Sequence, residues 1–478
     1  LDHVFQLILF SSLAALALIS AGHALLIKRD PRSALGWIVV CLTMPLFGPL
    51  LYWSMGINSI SRKARQWLES GRRLAGWENS SPSSEQQAAS ALPPEALYLK
   101  EFRALADRVV SSHLVPGNRI MPLENGENVY PAMLDAINRA THSINLSTYI
   151  FDGDATGQRF VDALKAAGAR GVAVRVIIDS LGEKYSRPTV CKLLKGSPVK
   201  VGRFLPLRQG GYINLRNHRK ILVVDGRRGF TGGMNIGDRH LVERLDGPPV
   251  VKDMHFLIEG PLVSDLQRTF LEDWYFVTGE LIKDKGYFPE IQTAGTALAR
   301  AVSDGPDKEF RKLNWIILGA LSCARNRVLI MTPYFIPDRP LISALITAAL
   351  RGVDIPLVLP EKNNLPYVHW ASRGYLWELL QHGIKVYYQP PPFVHTKMLL
   401  MDRVWSLIGS ANLDPRSLRL NFEFNVEVYD ADLSRQLAAK FSATVAESRR
   451  VTIEEVDFGR SLPVKIRDGI AKLFSPYL

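Results

Sequence analysis

The sequence predicts an α/β protein in which two similar α/β sandwich halves share one active site, preceded by two N-terminal hydrophobic membrane segments. Three observations carry this. A short pattern, His-x-Lys-x4-Asp, occurs twice about 180 residues apart. The strand and helix patterns around each copy recur in the same order. The first 57 residues contain two long apolar runs without a formal charge.

Taken in chain order, Val4 to Ile27 is 24 residues long, enough to cross a bilayer core. Lys28 to Arg32 is a charged break, and Ala34 to Ile57 is the second run. A cleaved signal peptide competes for the first run. No basic stretch precedes it and a second apolar run follows at once, so a retained anchor is the better reading. Trp37, Tyr52 and Trp53 suit an interfacial belt. Pro45 and Pro49 leave the second run open to two forms, a straight crossing or a kinked, re-entrant segment. Asn58 to Gly76 is basic, with Arg62, Lys63, Arg65, Arg72 and Arg73. Beside a membrane each such charge attracts anionic headgroups by about 1 kcal/mol, the competing reading being a solvated helix face. Asn79 to Ala91 is polar and low in complexity, the composition of a flexible connector. The chain divides into an anchor at 1–57, with segments at 4–27 and 34–57, and a basic segment and linker at 58–123. Two catalytic halves follow at 124–290 and 291–478.

The halves announce themselves as a repeat. Ser143 to Phe151 reads as a buried strand and Arg327 to Ile336 as its counterpart, with Tyr149 matching Tyr334. Helices follow, ending at Arg170-Gly171-Val172 and Arg351-Gly352-Val353. Apolar strands then end at Asp179 and Glu361. Strands alternating with amphipathic helices give the α/β class.

The chemistry sits in the motifs. The first is His218-Arg219-Lys220 followed by Asp225, and the second is His395-Thr396-Lys397 followed by Asp402. Gly232-Gly233 leads to Asn235, and Gly409-Ser410 leads to Asn412, each asparagine 17 residues after its histidine. Residues i and i+2 of an extended strand face the same side, so each His and Lys enter one site together. A protonated lysine is a poor zinc ligand. An imidazole beside an ammonium suits an anion instead, and two such pairs would grip a phosphate from both sides. One neutral histidine attacks phosphorus while the other, protonated, supplies a proton to the leaving oxygen. Lys220, Lys397, Asn235, Asn412 and Ser410 hold the non-bridging oxygens as charge builds. Asp253 and Glu423 open acidic strands downstream of each asparagine and are candidates to orient the imidazoles. Asp225 and Asp402 close the motifs and hold them in place. A pair of satisfied core histidines would leave the duplication unexplained.

These residues resemble the phospholipase D superfamily, whose signature is a duplicated His-Lys-Asp motif, from about Glu124 to the C-terminus. Within it the stretches Arg216 to Lys220, Gly229 to Asp238 and Gly409 to Glu423 are similar to those of bacterial cardiolipin synthases. The paired N-terminal runs are similar too. The resemblance implies transfer of a phosphatidyl group from one phosphatidylglycerol to another, through a phosphohistidine and without metal or organic cofactor. It implies His218 as nucleophile and His395 as acid and base, roles the residues themselves leave open. Val251-Lys252 before Asp253 departs from the Trp-Arg more usual in the family. A hydrolytic phospholipase D or another phosphatidyltransferase is the alternative, because water and a glycerol hydroxyl need the same histidines.

The formal net charge of +12 calls for acidic partners. Two membrane segments fit phosphatidylglycerol and other anionic phospholipids rather than nucleic acid, and no basic track interleaved with aromatics is present. A non-catalytic scaffold requires degenerate motifs, and both are intact. Cys41, Cys191 and Cys323 are odd in number and scattered, which gives neither a disulfide framework nor a zinc site. The expected location is the bacterial inner membrane, multi-pass, with the catalytic part cytoplasmic under the positive-inside tendency.

Overall fold

The computed structural model describes residues 2–28, 31–56, 91–206, 215–244, 250–305 and 312–475. The basic cluster from Arg62 to Arg73 and nearly all of the polar connector lie outside the described residues. The chain forms two compact units, Leu1–Ala64 and Arg65–Leu478.

In the first unit the first apolar run is one continuous helix, α1 (Asp2–Ile27). It is long and apolar enough to cross a membrane. The second run is broken into shorter pieces. Its helix α2 (Pro31–Thr43) stops where Pro45 removes a backbone donor, and α3 (Phe47–Leu51) with a single π turn, Tyr52–Gly56, leads back. Gly48 permits the fold-back, since a Cβ there would lie 2.2 Å from the Val40 carbonyl oxygen. Trp53 Nε1 donates to Ser20 Oγ at 2.9 Å, and His23 Nδ1 bonds Tyr52 Oη at 2.7 Å. Lys28 Nζ donates to the Gly56 carbonyl. Both ends of the second run therefore meet at the C-terminal end of α1, so of the two forms left open by the sequence the structure shows the kinked one.

The second unit is built on one 15-stranded sheet. The first half supplies β1 (Val115–Glu124), β2 (Ser143–Thr148), β3 (Ala173–Asp179), β4 (Lys200–Phe204), β5 (Ile221–Val224), β6 (Arg228–Gly232), β7 (Val251–Lys252) and β8 (Met254–Glu259). The second half supplies β9 (Ala297–Asp304), β10 (Val328–Met331), β11 (Pro356–Pro360), β12 (Lys385–Gln389), β13 (Phe393–Val394), β14 (Met398–Met401), β15 (Trp405–Gly409), β16 (Glu423–Tyr429) and β17 (Arg449–Arg450). Outward from the antiparallel β1–β9 pair, one side runs β8-β6-β5-β2-β3-β4 and the other β16-β15-β14-β10-β11-β12, with β17 at the edge. The order is the same on both sides, as a duplication requires. β7 and β13 pair with each other outside this sheet.

The helices follow the same logic: α4 (Lys100–Val109), α5 (Ala155–Ala169), α6 (Val263–Thr278), α7 (Lys312–Cys323), α8 (Arg339–Leu350), α9 (Pro366–Gln381) and α10 (Leu462–Leu473). Asp154 caps α5 through Gly157 N and Asp338 caps α8 through Leu341 N. Each helix then ends in Arg-Gly, the glycines at φ 90° and 91°. Strands β2, β5, β10, β11, β14 and β16 are buried at every position, because helices cover both faces of the sheet.

One boundary moves. Residues from Leu92 onward are packed core rather than linker: Leu99, Phe102, Ala106 and Val110 recur at helical spacing and enter the second half's core. Phe102 stands edge-on to Trp405 with ring centres 5.3 Å apart. The first half's sheet likewise starts with β1 at Val115, upstream of Glu124.

Candidate active site

Each His-x-Lys segment is extended but sits just ahead of its strand, outside the sheet ladder. It pairs across the boundary between halves instead. His218 N donates to Phe422 O at 2.9 Å, and Phe422 N donates to Arg216 O at 2.8 Å. In the second half His395 N donates to Lys252 O at 2.7 Å, continuing the parallel β7–β13 pair. The residues after Phe422 and Lys252 are Glu423 and Asp253. Each motif is thus laid against the strand that carries the other half's acid.

The side chains follow the backbone. His218 Nδ1 lies 3.1 Å from Glu423 Oε2, and His395 Nδ1 lies 2.8 Å from Asp253 Oδ2. Each motif histidine is oriented by a carboxylate from the opposite half, a crossing the sequence did not reveal. With Nδ1 so engaged, Nε2 is the ring nitrogen left to react. Lys220 Nζ donates to His218 O at 2.7 Å and Lys397 Nζ to His395 O, so each lysine folds back beside its own histidine. Both histidines are 8–9% exposed. The Tyr149 ring meets that of His218 at 5.4 Å, and the Tyr334 ring meets that of His395 at 6.1 Å. These tyrosines were visible in the sequence only as a repeat match.

Four potential cations face two buried carboxylates. Burial, with Lys397 adding to it, lowers Lys220 to about 7, and burial lowers Lys397 to about 8, against the pull of Glu423 and Asp253. Burial also lowers His218, opposed by Glu423. His395 falls to about 3 through burial and Lys397, opposed by Asp253. Burial alone would raise the carboxyl of Asp253, but Lys397 and His395 hold it well below the usual range. His218 and Lys220 outweigh burial for Glu423 in the same way. Each histidine also feels the other half's lysine, which places all four groups in one site. Such a site suits an anionic tetrahedral group.

The remaining predicted residues divide. Asp225 accepts from the backbone N–H groups of Thr141, His142 and Ser143, and Asp402 from those of Arg325, Asn326 and Arg327. Each has positive φ, 52° and 51°, and ties the end of its motif strand to the start of the neighbouring one. Their carboxylates are spent on the backbone, which makes them positioning residues. Asn235 Oδ1 accepts from Ile150 N at 3.1 Å, and Asn412 Nδ2 donates to Ser417 Oγ at 3.1 Å. Ser410 meets an acid: its hydroxyl donates to Glu423 Oε2 at 2.5 Å and accepts from Phe424 N at 3.0 Å, because β15 and β16 are ladder neighbours. It braces the carboxylate. Its counterpart Gly233 has no room for a side chain, since a Cβ there would lie 2.4 Å from Asp253 Oδ1. The two histidines are therefore not equivalent.

Arg219, between His218 and Lys220, was passed over in the sequence. Its guanidinium is buried, bonds Asp273 at 2.5 Å and reaches Ser303 Oγ and the Asp304 and Glu423 carbonyls. It fastens the first motif to the second half. Val251-Lys252, the departure from the usual pair, supplies β7.

Residues 133–274 and 317–445 match a family profile described as cardiolipin synthase, PLD-like domain, and residues 15–56 match one described as phospholipase D-nuclease N-terminal. The major cardiolipin synthase of Bacillus subtilis (strain 168) is 32% identical over 470 residues, covering 94% of this chain and 95% of that protein. A cardiolipin synthase of Geobacillus sp. (strain WCH70) is 32% identical over 457 residues, covering 94% and 90%. Among solved structures, the phosphatidylserine synthase of Haemophilus influenzae Rd KW20 aligns with a TM-score of 0.62 at 14% identity. It covers 79% of this chain and 100% of that one, a likeness of fold.

Proposed function

The chain belongs to the cardiolipin synthase family of phospholipase D-like proteins and is a phosphatidyltransferase, and from that premise we propose that it joins two phosphatidylglycerols into cardiolipin and glycerol through a phosphohistidine. The observation that carries the reading is the crossed pairing of each histidine with a buried carboxylate of the other half. It supplies two imidazoles in fixed tautomers, one to bond phosphorus and one to move a proton.

In the first step His218 Nε2 attacks the phosphorus of one phosphatidylglycerol. A P–N bond forms, the P–O bond to glycerol breaks, and His395 gives its proton to the departing oxygen. Glu423, braced by Ser410, balances the charge that appears on the phosphorylated ring. In the second step His395 takes the proton from a glycerol hydroxyl of another phosphatidylglycerol. That oxygen attacks phosphorus, the P–N bond breaks and His218 is restored. The phosphodiester's negative charge raises Lys220, Lys397 and His395, so substrate binding itself charges the groups that hold it. One phosphodiester is exchanged for another, so no activated nucleotide donor is required.

The anchor supports a membrane setting. The fold-back of the second apolar run leaves Lys28 beside Gly56, so both ends of that run lie on one face of the anchor. Under the positive-inside tendency that face is cytoplasmic, and the catalytic part follows it. The test of function is incubation of the purified protein in detergent with phosphatidylglycerol alone, with products identified by mass. Cardiolipin and glycerol support the reading. Phosphatidic acid as the main product makes the chain a hydrolase, and a requirement for a CDP-linked lipid or a divalent metal overturns the mechanism.

A further inference from the structure

Helix α10 has two unlike faces. Asp468 and Ala471 are buried, and Asp468 accepts ion pairs from Arg373, Arg460 and Arg467. Lys472 Nζ donates to Gly374 O and Tyr375 Oη donates to Ser475 Oγ, which fixes α10 on α9. The opposite face carries Leu462, Ile466, Ile470 and Leu473, followed by Phe474, all between 52% and 77% exposed. At 100° per residue these five fall within about a third of the helix circumference. Lys465 and Lys472 flank the stripe on one side and Arg467 on the other. From Phe458 to Ser475 there are four cations against one carboxylate, and that carboxylate is buried.

An apolar stripe bordered by cations is the pattern of a helix lying in the plane of a membrane interface, with basic side chains reaching the headgroups. A core helix would have its stripe covered, and a solvated helix would be polar there. The buried face, opposite the stripe, ties α10 to the part of the fold that carries the second motif. Ala471 packs with Ile336, Val368 and Ala371 in a small cluster that includes Tyr334, whose ring meets His395.

We propose that α10 lies in the headgroup layer of an anionic phospholipid bilayer and holds the catalytic halves at the membrane surface. This rests on the reading that the site takes bilayer lipid, and its test does not require turnover. Full-length protein carrying His218→Ala, with Cys41, Cys191 and Cys323 replaced by alanine, takes a fluorophore at Ile470→Cys. A control takes it at Ala166→Cys on α5. Both are reconstituted in vesicles of phosphatidylglycerol and phosphatidylcholine. At position 470 nitroxide-labelled lipid should quench the probe and aqueous iodide should not, while iodide quenches at 166. Iodide quenching at 470 overturns the proposal. So does protection from both quenchers, which would mean that protein covers the stripe. In otherwise native protein, Ile466→Glu with Ile470→Glu should lower turnover on these vesicles roughly tenfold while sparing short-chain phosphatidylglycerol dispersed in detergent. Equal loss on both substrates would mark a folding defect and count against the membrane role.

Discussion

Asp253→Asn tests the crossed pairing most sharply. The substitution keeps the size of the side chain and an oxygen able to accept from His395 Nδ1, now 2.8 Å from the carboxylate. It removes the negative charge. In the native site burial and Lys397 depress His395, and Asp253 opposes both. Without that opposition the protonated ring becomes rarer in the step that needs it. A charged hydrogen bond in a buried site exceeds a neutral one by about 2 to 3 kcal/mol once the imidazolium's charge is included, or roughly 30- to 150-fold in rate. Because His395 acts in both steps, rapid-quench release of the first glycerol and steady-state cardiolipin formation should fall together by that factor. Thermal unfolding of the variant confirms that it is folded. Activity within about threefold of the native protein would refute the argument that the other half's acid drives His395.

Three further outcomes follow from the same geometry. Lys220 at about 7 and Lys397 at about 8 are charged below those values and neutral above, so kcat/KM should fall as pH rises through 7 to 8, mostly through KM; a profile flat well beyond pH 8 would contradict it. With native cysteines replaced, Ser33→Cys and Ser83→Cys should both react with a membrane-impermeant maleimide from the cytoplasmic side, and labelling from opposite sides would restore a straight second crossing. Phe102→Ala removes a buried ring stacked edge-on to Trp405 and should cost about 3 to 5 kcal/mol, seen as a large drop in unfolding temperature; an unchanged transition would return the stretch before Val115 to a linker.

The duplicated motif made the fold class legible because a repeat constrains every element around it. The matched strands, the Arg-Gly helix ends and the His-Lys pairs all stand on corresponding strands or turns. What the sequence could not show is which half's acid meets which histidine. That depends on Asn217 bridging to Phe422 and on β7 pairing with β13, contacts between residues some 140 to 205 positions apart. The contact of Ser410 was hidden for a related reason. Its place in the motif trailer suggested a phosphate ligand, whereas ladder pairing aims it at Glu423. The second apolar run had the composition of a span, and only tertiary contacts such as Trp53 to Ser20 reveal the fold-back. Leu92 to Val110 was assigned to the linker because its burial depends on partners two hundred or more positions away, which no local pattern shows.

The central claim is one site shared by both halves, with His218 forming the covalent bond. His395→Ala protein incubated with phosphatidylglycerol, digested at neutral pH and mapped by mass spectrometry tests it directly. The account predicts a phosphatidyl adduct on His218, no sustained cardiolipin formation, and no adduct in the His218→Ala variant. Sustained turnover by either variant, or an adduct on another residue, would contradict it.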